Sequence, residues 1–153
     1  MSSSPQPIQR VTVTRKARFS SAHFYALDEW DDAKNQEVFY ACSNRMGHGH
    51  NYLLEVAVNG PIEPDTGMVV NLKDLKTMIQ EAVIAPLDHQ NLNHQVAYFK
   101  NRVPTLENIT YYIWESLLPK VTALNLTLQW IRLDENDSLY VEYAGEKPLE
   151  AVS

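Results

Sequence analysis

The residues best equipped for chemistry lie in CSNRMGHGHNY, Cys42 to Tyr52, which holds the chain's only cysteine and a His-Gly-His triplet. Three residues further on, the chain reads as a plain strand, Glu55 to Asn59. In an extended chain, residues two apart project from the same face. His48 and His50 therefore point the same way, with Gly49 leaving the backbone between them uncrowded. Two imidazoles so placed can hold one cation, since zinc accepts histidine nitrogen at about 2.0–2.1 Å. The same parity runs on through Tyr52, Leu54, Val56 and Val58, which puts the pair at the edge of a dry core. The thiol of Cys42, six residues upstream of His48, points to chemistry beside the ion. The bland alternative is a pair of core histidines with ordinary hydrogen-bond partners. Two ligands are too few, because a catalytic zinc takes three protein ligands and keeps one position open. The third must come from His23, His89 or His94.

Composition narrows the setting. The chain has 153 residues, enough for one domain with a core, and 44% of them are hydrophobic, which favours a globular fold over disorder. No apolar run approaches the roughly 20 residues that span a bilayer. No charged-then-apolar leader is evident, so no membrane or secretory role is expected. A lone cysteine excludes an internal disulfide framework and fits a reducing, cytoplasmic setting. A net charge of −6 argues against a nucleic-acid surface, and an anion could be held only by a local basic patch.

The elements that must position these residues follow from periodicity. Residues 1–9, with three serines and two prolines, read as a mobile tail. Val11 to Ser20 alternates as a half-exposed strand, with Val11, Val13, Ala17 and Phe19 on one side and Arg15 interrupting it. His23 follows at its end. The acidic run around Trp30 reads as a solvated loop or helical turn, and residues 35–41 show no clear period. A second strand, Leu53 to Asn59, ends at Gly60-Pro61. Asn71 caps a helix whose Leu72, Leu75, Ile79, Ala82 and Val83 form one stripe, and Pro86 is expected to stop it. Thr105 caps a second helix lined by Leu106, Ile109, Ile113 and Leu117, and Pro119 is expected to close it. Leu124 to Asp134 reads as a strand with apolar residues on both faces, and Leu139 to Tyr143 as the last strand. Residues 146–153 read as a loose tail, which leaves residues 10–145 as one domain. The order strand, strand, helix, helix, strand, strand predicts an antiparallel α+β domain. A four-stranded sheet under two helices leaves edges open, and several copies closing into a barrel would cover them.

Five segments then line up in order: FSSAHF, C-x5-HGHNY, LDHxxLN, PTxEN and an acidic residue at the end of the third strand. Together they resemble the 6-pyruvoyltetrahydropterin synthase family, which includes the queuosine-pathway 6-carboxytetrahydropterin synthases, from about Val11 to Tyr143. The resemblance implies the T-fold (tunnelling fold), a four-stranded antiparallel sheet with two helices on one face. It also implies barrels assembled from several copies, a homohexamer built as a dimer of trimers, and sites between subunits. On this resemblance the zinc ligands are His23, His48 and His50, the nucleophile or general base is Cys42, and its helper pair is Asp88 and His89. Glu135 takes the pterin-anchoring position, with Thr105 and Glu107 near the ring. Glu135 is preferred over Asp134 and Asp137 because Ser138 to Tyr143 then matches without a gap.

The implied substrate is 7,8-dihydroneopterin triphosphate. Zinc would polarise its side-chain oxygens. Cys42 would remove a proton as thiolate, a form that nearby cations favour over the ordinary thiol. His89 would move protons, with Asp88 orienting its ring. Glu135 suits the two parallel N–H donors of a pterin edge. Lys16, Arg18 and Arg45 are candidates for the phosphates. The five-residue gap between Cys42 and His48 resembles the pyruvoyl type, since the queuosine type, which releases acetaldehyde, has a shorter one. A third branch uses glutamate in place of the cysteine; Cys42 argues against it, although Glu37 is nearby. The remaining alternative is a non-catalytic pterin-binding or structural-zinc module with Cys42 as fourth ligand.

Overall fold

The computed structural model describes residues 8–147, so the two expected tails fall almost wholly outside the described residues. Strand β1 spans Arg10–His23 and ends at the first candidate ligand. Helix α1 covers Asp32–Phe39, longer than the solvated loop or helical turn expected around Trp30; Asp31 caps it by accepting from the Lys34 N–H at 2.8 Å. A short 3₁₀ turn, Tyr40–Ser43, follows and carries Cys42. Strand β2, His48–Pro61, begins at the second candidate ligand. It pairs antiparallel with β1 without interruption from Arg10↔Pro61 to His23↔His48. Both strands run beyond their alternating apolar stretches, because the small polar Ser20, Ser21 and Asn51 are held by pairing. The Ser20 hydroxyl meets Asn51 Oδ1 at 2.6 Å, and the Ser21 hydroxyl donates to the Leu87 carbonyl at 2.6 Å.

Helix α2, Leu72–Ile79, is capped by Asn71 as its sequence predicts. Pro86 does not stop it. The helix widens into a π turn at Gln80–Ile84 and continues as α3, Ala85–Leu87. The widened turn resets the hydrogen-bond register, so Pro86 falls in the first turn of a new helical segment, where its missing N–H costs nothing. Strand β3 is Gln90–Asn91, and α4 is Leu92–Gln95. Helix α5, Leu106–Ala123, also passes its proline. Pro119 lies on the exposed side, where the carbonyl it deprives of a partner meets solvent, while buried Val121 holds the last turn.

Strand β4 is Thr127–Asn136 and β5 is Leu139–Tyr143, giving the sheet order β3-β1-β2-β4-β5. The expected four-stranded antiparallel sheet is present, extended at one edge by β3, which runs parallel to β1 at Ser21 and Ala22. The third predicted strand starts later than Leu124, which instead ends α5, with Asn125 turning at positive φ. Its apolar residues on both faces are explained by a bulge. Ala57 pairs with Trp130 and Val58 with Leu128, so Gln129 has no partner and the parity flips. Leu128 and then Ile131 and Leu133 all reach the helix side as a result. There they pack with Tyr52, Leu54, Val56 and Val58 of β2, Leu75 and Ile79 of α2, and Ile109, Ile113 and Leu117 of α5. Each such side chain contributes roughly 1.5–3 kcal/mol through burial. Among the described residues no helix is long and apolar enough to cross a membrane.

Candidate functional site

The β1–β2 ladder builds the centre of the site. His23 faces His48 as the last pair, and Ser21 faces His50 two steps in. The three rings lie on the helix side, and each offers a nitrogen within 4.8 Å of the other two. His23 and His48 approach closest, with Nε2 atoms 3.1 Å apart. Nitrogens each about 2.0–2.1 Å from one tetrahedral ion stand roughly 3.3 Å apart, so this spacing suits a shared cation. His23 is fully buried, and its Nδ1 lies 2.8 Å from the Pro104 carbonyl. A carbonyl only accepts, so Nδ1 carries the hydrogen and Nε2 keeps its lone pair for the centre. His50 Nε2 is buried without a hydrogen-bond partner, so its donor atom is not committed within the protein and fits a metal ligand. Burial holds the His23 ring down to about 4, opposed by the Pro104 carbonyl and reinforced by His48 and His50. Burial also lowers His50, with Glu135 opposing it. Both effects keep the imidazoles neutral, the form that binds metal. The turn into β2 depends on Gly47, at φ +77 and with room for a Cβ only 3.2 Å from the His23 carbonyl.

Glu135 reaches the same place through a second irregularity. Asp134 pairs with Tyr140 and Asn136 with Leu139, so Glu135 is skipped in the ladder to β5. Its carboxylate lies 3.6 Å from His50 Nε2, with only 11% of the side chain exposed. Its Oε2 and the hydroxyl of fully buried Tyr52 are both without partners. A buried acceptor of this kind calls for donors from a ligand. Neighbouring Asp134 is engaged elsewhere, gripped by Arg132 at 2.8 and 3.0 Å, which supports Glu135 as the free carboxylate.

Two tyrosines complete the wall. Tyr52 stacks on Phe19 and meets the His50 ring edge-on at 5.7 Å between centroids. Tyr25 meets His23 edge-on at 5.1 Å, and its N–H donates to the Cys42 carbonyl at 2.7 Å. Burial and then the Glu135 charge push both phenols well above their ordinary range. Cys42, half-buried on its 3₁₀ turn, is thus tied to the residue two beyond the first histidine. Sequence reasoning missed Tyr25. Its only signal is its position just after the FSSAHF segment.

The other predicted residues are placed as follows. Thr105 caps α5, accepting from the Asn108 N–H at 3.2 Å, and Glu107 lies exposed in the helix's first turn. Pro104, just before the cap, is the residue that braces His23. Asp88 and His89 form a pair, Oδ2 to Nδ1, at 2.8 Å. The Ser20 N–H donates to Asp88 Oδ1 at 2.8 Å; this bond foremost, and the His89 contact with it, lowers the carboxyl's pKa. His89, held at φ +58, projects its ring into solvent beside a cleft of about 370 Å³ lined by Ser20, Gly49, His50 and Asn51. Cys42 does not line that cleft. One chain therefore brings together the histidines, Glu135, Tyr25 and Tyr52, and leaves the Asp88–His89 pair facing outward.

Fold and site define an α+β protein of the T-fold class with a three-histidine centre beside a buried carboxylate. The sequence profile described as "6-pyruvoyl tetrahydropterin synthase" matches residues 12–146, and the chain belongs to that family. The 6-pyruvoyl tetrahydrobiopterin synthase of Poecilia reticulata is 44% identical over 147 residues, which is 95% of this chain and 98% of the relative. That of Homo sapiens is 43% identical over 134 residues, 88% of this chain and 91% of the relative. The structure of Caenorhabditis elegans 6-pyruvoyl tetrahydropterin synthase superposes with a TM-score of 0.84 at 34% identity, covering 91% of this chain and 98% of that one.

Proposed function

We propose that the chain is a zinc-dependent 6-pyruvoyltetrahydropterin synthase that converts 7,8-dihydroneopterin triphosphate with loss of triphosphate. The observation that carries this is the convergence of three imidazoles beside a carboxylate whose Oε2 is buried and unpartnered, in a chain of this family. His23, His48 and His50 would hold the ion. Borderline nitrogen donors suit zinc, which supplies Lewis acidity when bound there. Glu135 accepts the paired N–H groups of the pterin and so fixes the ring. Thr105 and Glu107, at the start of α5, flank it. The Cys42 thiolate takes the side-chain proton. Asp88 orients His89, which returns a proton to the side chain as triphosphate departs.

The pair at Asp88 and His89 faces a cleft that Cys42 does not share. We infer that it serves the site of a neighbouring subunit in a homohexamer. The exposed edge at β5, with Leu139 and Tyr140 nearly half-exposed, supports such an assembly. A single free thiol suits a reducing compartment such as the cytoplasm. The structural-zinc reading loses its support, because the histidine group contains no fourth protein ligand among the described residues.

Mass spectrometry of the product formed from 7,8-dihydroneopterin triphosphate tests the reading. The expected product is 6-pyruvoyltetrahydropterin. A 6-carboxytetrahydropterin accompanied by acetaldehyde would move the chain to the queuosine-type reaction, and an unconsumed substrate would refute turnover.

A further inference from the structure

Helix α1 is held to the protein in an unusual way. A surface helix normally docks through an apolar stripe. In α1 the one buried side chain is polar: Asn35, 2% exposed. Its Oδ1 accepts from the Leu27 N–H at 2.9 Å, and its Nδ2 donates to the carbonyls of Leu27, Trp30 and Asp31 at 3.0, 3.2 and 3.1 Å. One amide therefore fixes the loop that leaves the end of β1. A buried amide with both its oxygen and its NH2 group engaged specifies a single conformation.

That loop leads back to the thiol. Its first part contains Tyr25, which touches His23 with its ring and holds the Cys42 carbonyl with its N–H. Phe39, the last residue of α1, stacks on Trp30 and meets Tyr25 edge-on, both at 5.9 Å. Tyr40 then turns at φ +50, and Cys42 follows two residues later. The thiol's turn is thus anchored on one side by α1 and on the other by the residue two beyond a histidine ligand. Both anchors run through the segment Asn35 organises.

We propose that Asn35 is a positioning residue for Cys42, setting where the thiol stands relative to the three-histidine centre. The inference rests on the reading of Cys42 as the proton-abstracting group. Asn35 lies outside the histidine group, so metal binding does not depend on it. A displacement of about 1 Å at a reacting group can cost roughly 10²-fold in rate, which sets the expected scale.

The test compares Asn35→Ala, Asn35→Asp and Cys42→Ala in the zinc-loaded protein by metal content, kcat, KM and the rate at which iodoacetamide labels the sole cysteine. Asn35→Ala is expected to keep its metal and a KM within about two-fold, and to lose roughly 10–100-fold in kcat with a changed labelling rate. Asn35→Asp is isosteric, keeps the bond from the Leu27 N–H and lacks the donors; it is expected to lose less and carries the test if the alanine variant does not fold. Wild-type kcat and labelling in the Asn35 variants, with Cys42→Ala inactive, would overturn the proposal and leave the parent reading standing. Parallel losses of metal, KM and kcat would also overturn it, because they report general loosening. Full activity in Cys42→Ala would instead remove the parent reading.

Discussion

The Nε2 atoms of His23 and His48 stand 3.1 Å apart across the last pair of the β1–β2 ladder, while the other nitrogen of His23 is tied to the Pro104 carbonyl. This arrangement makes acid the natural adversary of the ion-free protein. In the unfolded chain His23 titrates near 6.5, and in the folded chain near 4. Between those values the unfolded state binds the extra proton, so stability falls as pH drops from 6.5 towards 4. The loss amounts to as much as roughly 3 kcal/mol for a fully realised shift. Urea melts of chelator-treated protein should show the midpoint falling across that window. Zinc-loaded protein should resist further into acid, because the ion occupies the nitrogens that protons would take. His48→Ala and His50→Ala should each abolish that difference.

Cys42→Ala should retain zinc and pterin binding and lose about 10²–10⁴-fold in turnover, the usual range for removing a positioned base. Metal analysis alongside steady-state rates makes the check. A loss of zinc in step with activity would instead mark the thiol as a ligand.

Glu135→Gln tests the unpartnered carboxylate. Replacing a buried carboxylate whose Oε2 has no partner, and whose basic neighbour His50 at 3.6 Å is kept towards neutrality by burial, should leave the ligand-free protein at least as stable, read as an equal or higher Tm. Binding should suffer, because the amide offers one acceptor where two donors arrive. KM is expected to rise by roughly 10²-fold, corresponding to about 2.7 kcal/mol for a charge-assisted pair.

Tyr40 takes φ +50 while its side chain is 76% exposed. Strain at such a position costs of order 1–3 kcal/mol, and glycine's extra chain entropy offsets part of the relief. Tyr40→Gly should therefore stabilise the protein by roughly 1 kcal/mol, a Tm increase of about 2–4 °C for this size. Differential scanning calorimetry checks it; a lower Tm would show that the exposed ring carries packing.

The parts of this molecule legible in its sequence are those written in period-two and helical apolar patterns. The His48/His50 parity, the Asn71 and Thr105 caps and the stripe of α5 stand where spacing places them, as do Leu75 and Ile79 of the α2 stripe, whereas Leu72 at its start is exposed. What alternation could not show are the departures from regularity. The bulge at Gln129 lets one strand bury both of its apparent faces. The skip at Glu135 turns a terminal acid inward. The π turn before Pro86 lets a proline ride inside a helix. Helix α1 runs longer than a helical turn because a buried amide and the aromatic ring of Phe39, not an apolar stripe, dock it. The histidine trio could be completed only by family resemblance, since nothing in the spacing of His23 favours it over His89 or His94. The outward-facing Asp88–His89 pair is set by the Ser20 N–H on Asp88 and the positive φ of His89, which no apolar pattern encodes.

With uninterrupted pairing from Arg10↔Pro61 to His23↔His48, strand alignment and the capture of an ion by the histidines would be one event. A slip of a single position would send the ligand on one strand to the opposite face of the sheet, so only one alignment can grip a cation. A bound ion would latch that alignment at its far end, and amide hydrogens from Ser21 to His23 would then exchange more slowly.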